Sequence, residues 1–306
     1  MPTIIAAAAV LVTALLPFAA PWLQFVLTLA IAKGFAALGV AVLRAGLISI
    51  GHAMFFAASA YAVASLARAG VNDLGLLLIL SVLGGALVGA IAGSFLVRYR
   101  AIFFAMLNLA VSMVFYALCA KLYGVTGGTD GMPVPVPAVF GIVLGEPAFK
   151  SLLFYLGLGL MVLVGLAVQR YLNSPLGHAL SAVHTNEIRL EYLGIPVWAV
   201  LLIAYVVSAA LAGLGGAIAG FAIGRVVPDF AFWTASGHLV LIAVLGGIGG
   251  VPGAFIGALF LELLHSAAVT VTDSWSLIVG MSLIIVIMFM PQGIYGLFVR
   301  KEATSL

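Results

Sequence analysis

Apolar runs of about 18 residues or more recur along the chain, separated by short polar breaks. They fall at 3–20, 22–43, 47–68, 74–97, 101–122, 151–169, 199–223 and 274–292. At 1.5 Å per residue, a helix of that length crosses a hydrocarbon core of about 30 Å, so each run is predicted to be a membrane span. A further stretch, 237–266, is interrupted by VLGGIGGVPGAF (244–255), which holds Gly246, Gly247, Gly249, Gly250, Pro252 and Gly253. Glycine and proline at this density disfavour a continuous helix. Arms of roughly ten to fourteen residues on either side are too short to cross alone. Two half-helices meeting at a buried glycine-rich turn are therefore expected. The predicted fold is all-α: a polytopic membrane protein with about eight full spans plus a glycine-rich broken, re-entrant helix pair. It forms one domain over 1–306.

Two polar segments stand out between the runs, 123–150 with GVTGGTDGMPVPVP, and 170–198. If 237–266 returns to the side it started from, Arg44, Arg98, Arg100, Arg170, Arg189, Arg300 and Lys301 share one side. Arg68, Lys121, Lys150 and Arg225 lie on the other. The positive-inside rule then makes 170–198 and both termini cytoplasmic, and 123–150 external. The N-terminal stretch lacks a basic region before its apolar run, since the first basic residue is Lys33. It reads as a first membrane helix rather than a signal peptide.

Composition agrees. The chain is 65% hydrophobic and 7% charged, with a mean hydropathy of +1.33, which a soluble domain of 306 residues could not place. A net charge of +3 leaves no nucleic-acid footprint. The single cysteine, Cys119, cannot form an internal disulfide and reads as a small core residue. No G-x-x-x-x-G-K-[ST] phosphate loop occurs. Nucleophile–base pairs and metal-ligand spacings do not stand out either.

Against that background, AVHTNEIRLEYLGIP (182–196) is unusual, with Glu187, Arg189 and Glu191 in five positions. Thr185 is placed to cap a helix of about two turns beginning at Asn186, with Glu187 in its first turn. Gly194 is suited to end it, and Pro196 follows. Glu187 and Glu191 share one face, beside a stripe of Ile188, Tyr192 and Ile195. So short a helix needs support. Docking into a partner is one reading, and lying on the bilayer surface is the other, which acidic residues disfavour.

Other polar positions carry open alternatives. His52, with Ser49 and Gly51 at the cytoplasmic start of a span, is either a proton relay or substrate contact, or a packing histidine bonded to a carbonyl. Lys33, inside a run, is a functional charge, a snorkelling side chain, or half of a pair across an interface. Glu262 and His265 are an interfacial pair or a proton-coupled carboxylate. The small residues of AALAGLGGAIAGFAIG (209–224) suit close helix packing. Ile48–Gly51 and Gly247–Gly250 precede similar apolar runs, a hint of an internal repeat. T-G-G-T-D-G (126–131) reads as a structured turn that a soluble partner could touch.

SPLGHALSAVHTNEIRLEYLGIP (174–196) resembles the cytoplasmic loop of permease subunits of bacterial ABC-type importers, most closely the LivM-like branch for branched-chain amino acids. The match runs through Ser174, Pro175, Gly177, Ala179, Glu187, Ile188, Arg189, Glu191, Leu193, Gly194 and Ile195. It departs at His178, Leu190 and Tyr192. AGLISIGHAMFFAASAY (45–61), RYRAIFFAMLNLAVS (98–112), TGGTDGM (126–132), VLGGIGGVPGAFIGA (244–258) and FMPQGIYG (289–296) match further family segments in order. The resemblance implies a non-enzymatic permease of the bacterial inner membrane that imports branched-chain or related small amino acids. It further implies a second homologous permease subunit, two ABC ATPase subunits holding ATP and Mg, and a periplasmic or external solute-binding protein. Glu187, Arg189, Glu191 and Gly194 would couple to the ATPase. Ser49, Gly51, His52, Gly246, Gly247, Gly249 and Gly250 would line or support the pathway. Two alternatives remain, an ion- or proton-coupled transporter using Lys33 or Glu262, and a channel for a small neutral solute such as urea or amides.

Overall fold

The computed structural model describes residues 21–43, 47, 49–247, 250–271, 274–290 and 293–296. The predicted span 3–20, both termini, Arg44, Gly249, Arg300 and Lys301 lie outside the described residues. The longer helices are α1 (Pro21–Val42), α2 (Ala53–Arg68), α3 (Leu74–Leu96), α4 (Ala101–Lys121) and α5 (Glu146–Leu172). They continue as α6 (Pro175–Tyr192), α7 (Val197–Ile223), α8 (Trp233–Gly246), α9 (Val251–Val271) and α10 (Trp275–Phe289). The all-α expectation holds. Among the described residues, 6 helices are long and apolar enough to cross a membrane: α1, α3, α4, α5, α7 and α9.

The spans predicted at 47–68 and 274–292 are shorter helices of 16 and 15 residues. At the glycine-rich stretch the helix does break, and α8 has 14 residues as expected for a half-helix. The second arm differs. It is α9, with 21 residues, and is long enough to cross alone. Pro252 is the second residue of that helix, where a missing N–H costs no intrahelical bond. Beyond Ser266, the sequence AAVTV simply continues the helix.

Packing centres on α7, which lies against α1, α2 and α3. Its small residues explain why. A Cβ at Gly215 would sit 2.2 Å from the Ala32 carbonyl oxygen, and one at Gly216 would sit 1.9 Å from that of Phe56. Backbone therefore meets backbone, the contact small residues permit where lipid supplies little hydrophobic drive. By contrast, α3 turns Ile79, Leu83, Leu87 and Ile91 outward, as a lipid-facing helix does.

The connections gather at two ends. At one, Met132–Pro133 pairs antiparallel with Arg225–Val226, and Leu74 N–H donates to the Ala138 carbonyl at 2.9 Å. There the Tyr123 hydroxyl donates to the Asp130 carboxylate at 3.0 Å, and Arg225 donates to the Asp130 carbonyl at 3.0 Å. Gly131, with φ +72, leaves no room for a Cβ, which would fall 2.1 Å from the Val226 carbonyl oxygen. The T-G-G-T-D-G segment is thus a structured turn. At the other end, the α3–α4 turn meets α6.

Candidate functional site

Ser174 opens α6, accepting from Gly177 N–H at 3.4 Å and donating to the Tyr171 carbonyl at 2.6 Å. Gly177 is needed because a Cβ would lie 2.3 Å from the Leu172 carbonyl oxygen. The helix is longer than the predicted two turns, but it bends at Asn186, whose backbone is extended (φ −162, ψ 98). The cap of the final segment is Asn186 itself, not Thr185: its Oδ1 accepts from Arg189 N–H at 3.0 Å. Asn and Thr both suit a cap, and the choice falls one residue later. The predicted terminator is in place. Gly194 has φ +79, Ile195 N–H donates to the Leu190 carbonyl at 3.0 Å, and Gly194 N–H to that of Glu191 at 2.9 Å. This is the paired closing bond of a glycine-ended helix.

Leu180, Val183 and Leu190 are buried and anchor α6 to the bundle. Its tip is the reverse: Ile188 is 64% exposed, Tyr192 88% and Leu193 76%. Arg189 and Glu191 are exposed, whereas Ile195 is half-buried. Glu187 faces the other way. Its carboxylate takes a two-pronged contact from Arg100, with Nε donating to Oε2 at 3.1 Å and Nη2 to Oε1 at 2.6 Å. Arg100 Nη1 also donates to the Val97 and Tyr99 carbonyls.

A second constellation lies inside the bundle. Ser49, His52, Asn108 and Ser208 are all fully buried. Ser208 Oγ donates to the Gly39 carbonyl at 2.6 Å, so toward His52 Nε2, at 3.3 Å, it accepts. The proton therefore sits on Nε2, leaving Nδ1 to accept from Ser49 Oγ at 3.2 Å. Asn108 Nδ2 completes the chain, donating to Ser49 Oγ at 2.8 Å. His52 thus bonds two hydroxyls, with the Gly39 carbonyl one step beyond. Gly51 presses on the same helix, since a Cβ there would lie 2.2 Å from the Asn108 carbonyl oxygen. Ala53 N–H donates to Ser236 Oγ of α8 at 3.0 Å. Two buried oxygens nearby, Asn108 Oδ1 and the Tyr205 hydroxyl, have no hydrogen-bond partner among the described residues.

The third is the glycine turn. A Cβ at Gly246 would fall 1.9 Å from the Gly253 carbonyl oxygen, and one at Gly257 2.3 Å from that of Ile242. So α8 and α9 run back along each other with their backbones in contact. Gly247 has φ +94, and Gly293 packs directly on it. Gly250 meets the Tyr295 ring. The repeat suggested by Ile48–Gly51 and Gly247–Gly250 rests partly on residues outside the described set.

Sequence reasoning did not join Lys33 to Glu262. Lys33 Nζ donates to Glu262 Oε1 at 2.5 Å, linking α1 to α9 at mid-helix. Glu262 is buried and Lys33 about one-third exposed (32%). His238 of α8 and His265 of α9 lie within electrostatic reach of both charges. The available signal was the rule that a charge inside a membrane helix finds an opposite one.

Comparison with known proteins adds a family match. The model of the branched-chain amino acid transport system permease component matches residues 22–288. The high-affinity branched-chain amino acid transport system permease protein LivM of Escherichia coli K12 is 26% identical over 84% of this chain and 65% of its own length. LivM of Salmonella typhimurium LT2 is 27% identical over the same shares. The permease protein LivH of Escherichia coli K12 is 34% identical over 40% of each chain. This chain thus spans 65% of the length of the LivM relatives. No solved structure matches.

Proposed function

The chain belongs to the branched-chain amino acid transport system permease component family, and from that membership we propose that it is the membrane subunit of an ABC importer for branched-chain or related small amino acids. ATP and Mg are held by two partner ATPase subunits, and a second homologous permease completes the pore. An external solute-binding protein delivers the substrate and sets much of the selectivity. In this arrangement α6 is cytoplasmic, the 123–150 segment is external, and both termini are cytoplasmic. The α8–α9 hairpin re-enters from the external side, within a total of about eight spans.

The observation that carries this reading is the tip of α6. An anchored helix that leaves Ile188, Tyr192 and Leu193 exposed suits a groove on another protein better than a free surface. Arg189 and Glu191 form its polar rim, and Gly194 fixes its end. The buried Ser49–His52–Asn108–Ser208 chain and the glycine turn at 246–250 support the pathway near the bundle centre. The ion-coupled alternative uses Lys33 or Glu262, which are paired with each other across α1 and α9.

Affinity purification of the tagged protein from native membranes in mild detergent tests the proposal. An ATPase and a second permease should co-purify, and Tyr192→Asp with Ile188→Asp should release the ATPase while leaving membrane insertion normal. Transport that persists without an associated ATPase overturns it.

A further inference from the structure

We propose that Arg100 is a positioning residue that carries movement of α6 to the buried Ser49–His52 segment, by gripping Glu187 rather than by touching a partner. This inference rests on the reading of α6 as the ATPase-docking helix.

Glu187 divides the α6 tip into two functions. Ile188, Tyr192 and Leu193 are exposed, while the Glu187 carboxylate one residue before Ile188 is forked by Arg100 through Nε and Nη2. Two parallel charge-assisted bonds fix direction as well as distance, which a single ammonium cannot do. Arg100 is itself held, because Nη1 donates to the Val97 and Tyr99 carbonyls. Ala101, immediately after it, has φ +50, a backbone setting that a non-glycine residue keeps only when its surroundings impose it. The guanidinium therefore staples the α3–α4 corner and hands the corner's position to the α6 tip.

From that corner α4 runs inward as one continuous helix to the buried Asn108. Asn108 lies eight residues beyond Arg100, about 12 Å along the axis at 1.5 Å per residue. Its side chain donates to Ser49 Oγ, and its carbonyl leaves no space for a Cβ at Gly51. A shift of α4 must accordingly displace or release residues 49–52. Those residues in turn reach α7 and α1 through His52, Ser208 and the Gly39 carbonyl. Each link is a named contact, so the route is open to direct test, as any claim of coupling between distant sites requires.

The measurement is ATP hydrolysed per solute imported by the whole purified transporter in proteoliposomes, with ATPase co-purification scored in parallel. Arg100→Lys keeps the charge and loses the fork. Glu187→Gln removes the charge without disturbing the staple on Val97 and Tyr99, so it serves if Arg100→Lys assembles poorly. Both should retain the ATPase and raise the ratio about tenfold, in the range of ordinary coupling between sites. A purely structural Arg100 would lower the amount of assembled transporter and leave the ratio unchanged, which overturns the inference. If the wild-type protein retains no ATPase, the docking reading itself has failed. If it does and both variants import at the normal ratio, only the role of Arg100 falls.

Discussion

Two interruptions of regular helix stand out among the described residues, at Leu43, Leu47 and 49–52 between α1 and α2, and at Gly247 and Gly250 between α8 and α9. Inside a membrane, any backbone that leaves the helix must find its hydrogen bonds within the protein. The first interruption does so with side chains. Ser49, His52, Asn108, Ser208 and Ser236, drawn from several elements, bond one another and nearby backbone groups. The second does so by removing side chains, so that Gly246, Gly253 and Gly257 let α8 and α9 touch backbone to backbone. A hydrogen-bonded break can be retuned by exchanging donors and acceptors, whereas a glycine break admits no Cβ at all. The two are also tied, because Lys33 sits on the helix before the first and Glu262 on the helix after the second.

That tie should give the largest effect. Glu262→Ala leaves Lys33 uncompensated against the bundle, and removing one partner of a buried pair typically costs about 3–5 kcal/mol. With Lys33 one-third exposed (32%), the lower end is expected, read as a fall in the melting midpoint of the protein in nanodiscs. Lys33→Met combined with Glu262→Met should recover most of the loss. A double variant no better than the single one would mean the pair holds the helices by geometry rather than by charge balance.

The contrast between the two breaks sharpens next. Gly246→Ala drives a Cβ to 1.9 Å from the Gly253 carbonyl oxygen, backbone that cannot swing aside, and should cost about 2–3 kcal/mol. Gly237→Ala, in the same helix with open space around it, should be neutral or slightly stabilising by the helix preference for alanine. At the other break, Asn108→Ala removes one donor and the unpartnered Oδ1 together. Hydrogen bonds between membrane helices average only about 0.6 kcal/mol, and a lost buried partner about 1–3. A fall of about 1 kcal/mol is expected, visibly smaller than at Gly246, in the same melting assay.

How far the sequence reaches follows the same division. Spans of strong, long hydropathy such as 74–97 and 199–223 were legible because their signal is local. So was Gly194, since only glycine readily closes a helix with φ +79. The break at 246–250 was legible too, but the length of α9 was not. Glycine and proline near the break argue against both arms, yet Pro252 falls in the first turn of α9, where it does no harm. The late start of α2 was hidden because Leu47, Ile48 and Ile50 look like membrane helix by hydropathy alone. Contacts distant in sequence were least visible. Arg100 and Glu187 stand 87 residues apart and Lys33 and Glu262 229 apart. Asn108 and Ser208 resemble ordinary small polar residues in apolar runs until the fold joins them through Ser49 and His52.

The kink in α6 extends the comparison to an exposed segment and should give the smallest effect. Asn186 breaks the helix and repairs it with its own side chain, Oδ1 taking the Arg189 N–H, which is the hydrogen-bonded solution of the first break in miniature. Here, however, Asn186 is exposed, so water can replace the lost acceptor. Asn186→Ala should cost about 1 kcal/mol or less, and only locally, because the segment from Glu187 to Tyr192 can fray while Leu180 and Val183 stay buried. The global melting midpoint should not move. Amide exchange at Arg189 should quicken a few-fold, while exchange in α7 stays slow. A shift of the whole melting curve would instead show that the tip of α6 is part of the cooperative core, joined to it through Glu187 and Arg100.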